Sequence, residues 1–395
     1  MKNKIRLTLS GIVQTIRSIS IVDVAILVIG GILALLIRIS LHNWYTPDFS
    51  MFTHCYQIIR SEGWIAFKTG CTNYTPFYEY ILYIENVLFP QISNTAGAKI
   101  PGIGFDFICG WFAYLIVRLK YKSGPLPFFS FFAVLFTPTM ILNSAGWGQI
   151  DGIYTTFLLA SLYFILKERS WLACLAFGIA ISVKFQAAFL APLFLALFFK
   201  GKISWKSLLL IPTVYFILII PAWVSGRSIV ELLTIYMTQS DLFNALTLNA
   251  PNLYAWMPAS AYDHIYLGGI ILGVSIIFIY VAAILKSRVE LTPSRIILLA
   301  MVSVLIVPYF LPKMHDRYFL PADVLAIIFA FYYPIFFYSP IIIGLVSFFA
   351  YMPYLFQESV ISLPILALVL FIVMVLLGRK MLLELYPQGG ETLRK

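Results

Sequence analysis

The chain has 395 residues, of which 61% are hydrophobic and only 11% are charged, and its mean hydropathy is +0.92. A soluble protein would carry about 25% charged residues, so the composition excludes that class and predicts an all-α, multi-pass membrane protein with a single integral-membrane domain over residues 1–395. The net charge of +10 could suggest a nucleic-acid partner, but the distribution of the charges along the chain excludes it.

About twelve apolar segments approach the roughly 20 residues that a helix needs to cross a bilayer. They begin near Ile21, Ile100, Pro125, Gln149, Trp171, Gln186, Ser207, Ile265, Ser294, Tyr318, Pro340 and Leu363. Roughly two thirds of the Lys and Arg residues lie in every second connection, which the positive-inside rule makes cytoplasmic, together with both termini. The positive charge is therefore a topological signal.

The N-terminal residues 1–19 place isoleucines and leucines on one helical face, which favours an interfacial helix on the cytoplasmic leaflet over a disordered tail. Ile21–Leu41 is too long for the apolar core of a signal peptide and is predicted to stay as the first span. Arg38 lies about one turn inside the outer end of this span. It either extends to the interface or pairs with Asp48 or a phosphate.

Residues 42–99 form a large first outer loop with two helical patterns, one starting at Phe49 and one over Phe77–Phe89. Both are predicted to be helices on the outer membrane surface. Asp48, just before the first of them, is either a helix N-cap or a general base. Cys55 and Cys71 share the loop, so a disulfide is possible in an oxidising compartment.

The loop Asn143–Asp151 puts polar side chains at a membrane boundary, where such residues usually have a function. Trp147 and Gln149 suit a carbohydrate, through ring stacking and amide hydrogen bonds. Asp151 begins the fourth span, so it either contributes to this site or only complements the helix dipole.

The segment Trp171–Phe199 is predicted to be two short helices that meet near Lys184 and place its ammonium group on the outer side. A single helix would bring the basic residues at its two ends to opposite faces, against the charge rule. Residues 225–264 then form a second large outer loop, whose polar and aromatic residues suit a lid or a sugar platform.

The loop Pro312–Tyr318 is the most cationic of the outer connections. Lys313, His315 and Arg317 lie within five residues of one another, and Arg and Lys are the usual protein ligands of phosphate. By the topology count this loop, Asp48 and Trp147–Asp151 share one membrane face. The sequence therefore predicts one polar site at that face.

These segments together resemble the GT-C superfamily of integral-membrane glycosyltransferases, and more narrowly the GPI mannosyltransferase branch and its prokaryotic relatives. The matching pieces are Asp48, Asn73-Tyr-Thr-Pro76, Trp147-Gly-Gln-Ile-Asp151, Val183-Lys-Phe-Gln186 and Lys313-Met-His-Asp-Arg-Tyr318. Their order covers nearly the whole chain. Many members have paired acids in the first loop, whereas Phe49 follows Asp48 here, which weakens any inference of a metal site.

The resemblance implies an inverting transfer of a hexose, with mannose as the candidate sugar, from a polyprenyl-phosphate donor to a lipid or glycan hydroxyl at the outer face. Asp48 would be the catalytic base. The donor phosphate would bind to Arg317, His315 and Lys184, with Lys313 and Arg38 as further candidates. Trp147, Gln149, Asp151, Asn73, Tyr74 and Tyr318 would hold the sugar or the acceptor. No metal and no cofactor are expected, and the expected location is a prokaryotic plasma membrane.

A secondary transporter or lipid flippase is the alternative from another class. It would also have about twelve helices with charges inside the membrane. Such transporters often consist of two related halves with broken helices near the bilayer midplane. The sequence has no detectable internal repeat and gathers its polar groups at one face. These features favour the enzyme.

Overall fold

The computed structural model describes residues 21–240 and 242–387, with the backbone alone for residues 21–23. The predicted interfacial helix over residues 1–19 lies outside the described residues. The chain divides after Leu41 into two compact units. The described part of the first unit is the helix Ile21–Ser40, which has Arg38 in its last turn. The guanidinium Nη1 of Arg38 donates a hydrogen bond to the carbonyl of Ala34 at 3.1 Å.

The second unit is almost entirely helical. Its α-helices, in chain order, are Pro47–Glu62, Phe77–Leu88, Asn94–Lys120, Leu126–Leu135, Pro138–Ile141, Asp151–Leu166, Ser170–Val183, Ala191–Phe199, Trp205–Leu208, Leu210–Val224, Ile229–Ser240, Tyr262–Lys286, Pro293–Phe310, Leu320–Tyr332, Tyr338–Leu355 and Leu363–Leu385. Short 3₁₀ segments are Gly63–Lys68, Phe185–Leu190, Leu253–Trp256, Ala259–Ala261, Asp316–Phe319 and Pro334–Phe336, and Leu142–Gly146 is a π-helical turn.

Six helices among the described residues are long and apolar enough to cross a membrane, and a seventh span results if the bent pair Leu126–Leu135 and Pro138–Gly146 counts as one. The six are Asn94–Lys120, Trp205–Val224, Ala259–Lys286, Pro293–Phe310, Pro334–Leu355 and Leu363–Leu385. Four further apolar helices are shorter, at 10–17 residues. The chain is thus an integral membrane protein, and the count of twelve spans stays a prediction.

The first large loop contains both predicted helices, as Pro47–Glu62 and Phe77–Leu88. In the first of them Phe49, Phe52, Tyr56 and Ile59 are all buried, so the spacing that predicted the helix marks its packed face. A disulfide joins Cys55 on this helix to Cys71 in the connection that follows. The possibility that the sequence left open is therefore realised.

The break predicted near Lys184 is confirmed. The helix Ser170–Val183 ends there, Lys184 adopts extended backbone angles of φ −156° and ψ 133°, and Phe185–Leu190 continues as a 3₁₀ turn. A helix-starting proline, Pro192, opens the next α-helix, Ala191–Phe199. The side chain of Lys184 is consequently carried by a bend rather than by a helix face.

The second large loop is more ordered than its sequence indicates. After the helix Ile229–Ser240, the strand Thr247–Leu248 (β1) pairs in parallel with Met314–His315 (β2). Asn249 continues the pairing with a bridge to His315. The backbone N–H of Lys313 also donates to the carbonyl of Leu246 at 2.9 Å. This loop is thereby attached to the cationic loop that the sequence singled out.

Candidate active site

Two adjoining cavities contain most of the predicted site residues. The larger, here called the polar cavity, has a volume of about 450 Å³, and its wall includes Asp48, Trp147, Gln149, Asn249 and Asp316. The smaller, here called the apolar cavity, has a volume of about 260 Å³ and is lined mainly by apolar and aromatic residues of the chain beyond Phe185. Residues that line both are Asn73, Tyr74, Phe243, Leu248, His315 and Arg317. The structure therefore places His315 and Arg317 at the boundary between the two.

Asp48 lies in the first turn of its helix and points to the polar cavity. The N-cap of this helix is Thr46, whose hydroxyl accepts the backbone N–H of Phe49 at 3.3 Å. The interpretation of Asp48 as the N-cap is therefore wrong. Its Oδ2 accepts a hydrogen bond from Trp147 Nε1 at 3.3 Å and lies 3.7 Å from Arg317 Nη1. With its side chain 39% exposed, this carboxylate is available to a bound molecule.

Trp147 supports Asp48 and offers little surface for stacking. Its side chain is only 1% exposed, and its ring stacks on Tyr354 at a centroid distance of 4.6 Å. The hydroxyl of Tyr354 in turn accepts the backbone N–H of Asp48 at 3.1 Å. The contact that Trp147 makes here is an indole hydrogen bond to the carboxylate. The ring of Trp147 therefore has no free face for the predicted stacking with a sugar.

Gly148 allows the loop after Trp147 to approach the helix of Asp48. Its φ is +73°, in the left-handed region that favours glycine, and a Cβ atom added there would overlap the ring of Phe49. The hydroxyl of Thr46 donates to the carbonyl of Trp147 at 3.4 Å across the same contact. The chain on both sides of Asp48 is thus packed against the loop that carries Trp147.

Asp151 and Lys184 form a buried ion pair beneath the polar cavity. The distance from Lys184 Nζ to Asp151 Oδ1 is 2.6 Å, and neither side chain is more than 1% exposed. The other oxygen of Asp151 accepts from Asn143 Nδ2 at 3.0 Å and lies 3.7 Å from Arg317 Nε. The ammonium of Lys184 is further covered by the rings of Tyr74 and Tyr318, at 5.2 and 5.4 Å. Both residues are placed to support the site from below, and neither lines the two cavities.

Arg317 connects the two carboxylates of the site. Its guanidinium lies 3.7 Å from an oxygen of Asp48 and 3.7 Å from an oxygen of Asp151. The guanidinium carbon is also 5.0 Å from the centre of the Trp147 ring, a distance typical of a cation–π contact. Arg317 therefore carries a positive charge to the wall that both cavities share.

Burial shifts the pKa values of His315 and Asp316, which lie close to Arg317, in opposite directions. Burial, together with the positive charges of Arg317 and Lys184, holds the pKa of His315 well below its usual value, so its imidazole is neutral at pH 7. Burial raises the pKa of Asp316 to about 7, against the lowering effect of Arg317. His315 can consequently act at neutral pH as a hydrogen-bonding group and not as a cation.

Asn73 and Tyr74 belong to the connection before the helix Phe77–Leu88, which several side-chain hydrogen bonds fix in position. The carboxylate of Glu79 accepts the backbone N–H groups of Cys71 and Thr72, at 3.1 and 3.2 Å. The hydroxyl of Thr75 donates to the carbonyl of Ser182, next to the break at Lys184. Both predicted residues reach the walls of the cavities because this connection is fixed between two helices.

Lys313 and Tyr318 both line the apolar cavity, and their predicted roles stay predictions. Lys313 Nζ donates to the carbonyl of Ser240 at 2.9 Å and lies 4.9 Å from the ring of Tyr266, at the apolar cavity. Tyr318 is 7% exposed and packs against His315 and Lys184. Arg38 belongs to the first unit, and its role in phosphate binding stays a prediction.

Sequence reasoning missed Tyr354 and gave no individual role to Asp316 or Asn249, all of which line the polar cavity. Tyr354 lies near the end of a helix that reads as an ordinary span, where interfacial tyrosines are common, so nothing in the sequence distinguishes it. Asn249, by contrast, adopts a left-handed φ of +57°, which asparagine tolerates better than most residues.

One group of potential metal ligands occurs in the described part of the chain, formed by Cys55, Cys71 and Glu79 within 4.8 Å of one another. The two sulfur atoms are joined in the disulfide, and Glu79 accepts hydrogen bonds from the backbone beside it. This group is therefore used to hold the first loop together.

A family model matches the chain over residues 106–308, which is slightly more than half of its length. The model describes glycosyltransferase family 87, a membrane family of the GT-C type. The chain belongs to glycosyltransferase family 87. No curated protein matches it. Membership confirms the superfamily that the sequence resembles and gives the chain the activity of a membrane glycosyltransferase, which argues against a transporter.

The match to glycosyltransferase family 87 includes Trp147, Gln149, Asp151 and Lys184 and excludes Asp48 and the loop of Arg317. The ion pair beneath the polar cavity thus lies inside the matched segment. The groups that line the cavity from the first loop and from residues 312–318 join it only in three dimensions. Their roles depend on the geometry described above.

Proposed function

We propose that the protein transfers a hexose from a polyprenyl-phosphate donor to an acceptor hydroxyl at the outer membrane face, with inversion at the anomeric carbon. The single observation that carries this proposal is the placement of Asp48 and Arg317 on the wall of one cavity, 3.7 Å apart. A base and a phosphate ligand are the two groups that such a displacement requires.

In the proposed step the acceptor oxygen forms a bond to the anomeric carbon, and the bond from that carbon to the phosphate oxygen breaks. Asp48 takes the proton of the acceptor hydroxyl, and the lipid phosphate leaves with the bonding electron pair. Trp147 and Tyr354 orient Asp48 through its carboxylate and its backbone N–H. Support for Asp48 as the base comes from its exposure to the cavity, since a general base has to reach the hydroxyl that it deprotonates.

Arg317 is the proposed ligand of the donor phosphate. A guanidinium group binds phosphate through two parallel hydrogen bonds, and it would stabilise the negative charge that develops on the leaving oxygen. Neutral His315 lies beside it, with its Nδ1 3.5 Å from Arg317 Nη1, and can bind a phosphate oxygen as well. Lys184 contributes through Asp151, because both residues lie below the cavity.

The apolar cavity suits the first isoprene units of the donor lipid. Its wall includes Phe185, Leu242, Tyr266, Ile270 and Leu311, and it meets the polar cavity at His315 and Arg317. A lipid phosphate bound at that boundary would therefore have its chain on the apolar side and its sugar on the polar side. Mannose is the sugar we propose, from the branch that the sequence resembles.

Gln149 is the proposed ligand of the sugar or the acceptor. Its side chain is 2% exposed, it lines the polar cavity, and its Oε1 has no hydrogen-bond partner among the described residues. A buried amide oxygen without a partner is costly, and a hydroxyl group of a bound glycan would satisfy it. Asn73 and Tyr74 complete the proposed binding surface.

The outer-face orientation has two supports. Basic residues cluster in the connections opposite the site, as the positive-inside rule requires of the cytoplasmic side. The disulfide Cys55–Cys71 lies in the first loop, and disulfides persist in oxidising compartments outside the cytoplasm. Both support a first loop, and with it Asp48, on the outer side.

Transfer from synthetic polyprenyl-phosphate sugars to a membrane lipid extract would test the proposal. We expect Asp48→Asn to lower turnover by about 10²–10⁴-fold, the usual contribution of a general base. Asp263→Asn is the matched control, because Asp263 is an exposed acid in the first turn of another helix. Turnover of the Asp48 variant within a few-fold of wild type would exclude Asp48 as the base.

A further inference from the structure

The cations at the floor of the polar cavity already have carboxylate partners before any substrate is present. Lys184 pairs with Asp151 at 2.6 Å, and Arg317 lies 3.7 Å from both Asp48 and Asp151. Each of these two cations therefore already faces a carboxylate. An anionic donor that binds to one of them has to compete with that carboxylate.

Arg317 is the cation that can leave its carboxylate partner to bind the donor phosphate. The pair of Lys184 and Asp151 is at hydrogen-bond distance and is fully buried, so separating it would leave uncompensated charges in the interior. Both contacts of Arg317, at 3.7 Å, are longer than a normal hydrogen bond, and its Nε has no hydrogen-bond partner among the described residues. Its side chain also reaches both cavities.

We propose that the donor phosphate displaces Asp48 from Arg317, so that the catalytic carboxylate is released for the acceptor only after the donor is bound. This inference rests on the function proposed above. Before the donor binds, Arg317 holds Asp48 in a charge pair. After it binds, the guanidinium faces the phosphate and Asp48 retains its hydrogen bond from Trp147 Nε1.

Two physical arguments support the exchange. A phosphate can accept both parallel hydrogen bonds of a guanidinium, whereas Asp48 Oδ2 is 3.7 Å from Nη1 and makes no such bidentate contact. Asp151 Oδ2 meanwhile lies 3.7 Å from a different nitrogen of Arg317, Nε, and limits how far the side chain can move. Arg317 can therefore change its partner with little displacement.

The exchange also gives the enzyme an order of binding. With no donor present, a hydroxyl group near Asp48 meets a carboxylate that is paired with a cation. Donor binding and release of the base are then the same event, which would limit proton abstraction in the absence of a sugar to transfer. Asp48 and the donor phosphate are competitors for one group in this scheme.

Competition predicts how the removal of the Asp48 carboxylate changes the binding of the donor phosphate. Polyprenyl phosphate without a sugar should bind to purified Asp48→Asn about two- to fivefold more tightly than to wild type, which corresponds to a partly exposed charge pair. Asp48→Ser should show the same tightening and guards against a folding defect specific to asparagine. Thermal unfolding of each variant verifies that it is folded.

Two controls separate the competition from other effects. Trp147→Phe removes the hydrogen bond to Asp48 and keeps its charge, so it should not tighten binding. Arg317→Gln should weaken binding of polyprenyl phosphate at least about tenfold, as expected for a lost phosphate–guanidinium contact. Inorganic phosphate in place of the lipid shows whether the head group alone produces the difference between wild type and Asp48→Asn.

Equal or weaker binding of polyprenyl phosphate to both folded Asp48 variants would overturn the exchange. That outcome is distinct from a failure of the proposed function, which would appear as retained transfer by Asp48→Asn in the turnover assay. Tighter binding together with lost turnover is the combined result that we expect.

Discussion

The buried pair of Asp151 and Lys184 determines how substitutions at these residues act. Removing either partner leaves a single charge in the interior, which typically costs about 3–5 kcal/mol. We therefore expect Asp151→Asn and Lys184→Met each to lower the free energy of unfolding by that amount. The double variant should recover most of the loss, because no unpaired charge remains.

Thermal or denaturant unfolding in detergent measures these effects. Sugar transfer by the double variant should be slower than by wild type, since Arg317 has lost one of its two carboxylate neighbours. Single substitutions that cost less than about 1 kcal/mol, as exposed ion pairs do, would contradict the burial of this pair.

Glu85 is a second acid whose environment should be measurable, in the helix Phe77–Leu88. Burial raises its pKa from 4.5 to about 8, and neither carboxylate oxygen has a hydrogen-bond partner among the described residues. The native state therefore holds a proton that the unfolded state releases, and stability decreases as pH rises from about 4.5 to 8. Glu85→Gln, which imitates the protonated form, should remove this decrease.

The expected gain for Glu85→Gln is on the order of 2 kcal/mol at pH 8.5, with little difference from wild type at pH 4.5. Unfolding measured across this pH range gives the comparison. Glu62→Gln, at the exposed end of the neighbouring helix, is the control and should leave the profile of the wild type unchanged. A constant difference between Glu85→Gln and wild type at all pH values would argue against a raised pKa.

At the scale of residues, the sequence predicted which polar groups meet better than it predicted what each one does. Asp48, Trp147, His315 and Arg317 do line one cavity. Asp151 and Lys184 were expected to bind sugar and phosphate, but they pair with each other below it. A topology count gives the depth and the side of a residue. It does not give the direction in which its side chain points, and that direction decides between contact with a substrate and support from beneath.

Among the elements, the loop after Trp147 depends most on a single residue. Gly148→Ala forces an L-residue into the left-handed region, which costs about 1–2 kcal/mol, and also displaces the ring of Phe49 next to Asp48. We expect a larger loss of stability than the backbone cost alone, together with reduced turnover. Unfolding and transfer assays on the same preparation would show both.

Gly201→Ala is the matched control for this prediction. Gly201 has a similar φ of +70°, but an added Cβ there would have nothing within 4 Å. This variant should lose only the backbone cost of about 1–2 kcal/mol and keep its turnover. Equal effects of the two substitutions would mean that the contact of Gly148 with Phe49 does not matter.

At the scale of elements, a helix was predictable where the chain had a periodic apolar face. A break was predictable where one continuous helix would have put basic residues on both sides of the membrane. The buried face of Pro47–Glu62 and the break at Lys184 both followed from such patterns. The pairing of Thr247–Leu248 with Met314–His315 did not, because two-residue strands have no period to detect. That pairing brings Asn249 of the second loop, which the sequence described only as suited to a lid or a sugar platform, to the polar cavity.

For the whole molecule, the predicted starts of the twelve apolar segments each fall within about six residues of a helix start in the structure. What length and hydropathy leave open is how many of these helices cross the bilayer. Asp151–Leu166, Ser170–Val183 and Phe185–Phe199 are apolar but shorter than a normal span. Their cores are buried in protein, so hydrophobicity alone does not distinguish a short span from an internal helix.

The break at Lys184 also has a consequence for the biogenesis of the protein in the topology that we propose. The helices on its two sides are each shorter than the roughly 20 residues that a translocon accepts as a span, so they have to enter the membrane as one unit. A lysine at the centre of that unit opposes insertion by about 2.5–3.5 kcal/mol. Asp151, on the helix synthesised just before it, supplies the opposite charge. We therefore expect Asp151–Leu166 to stay beside the insertion site until the following pair of helices is made, so that Asp151 can pair with Lys184.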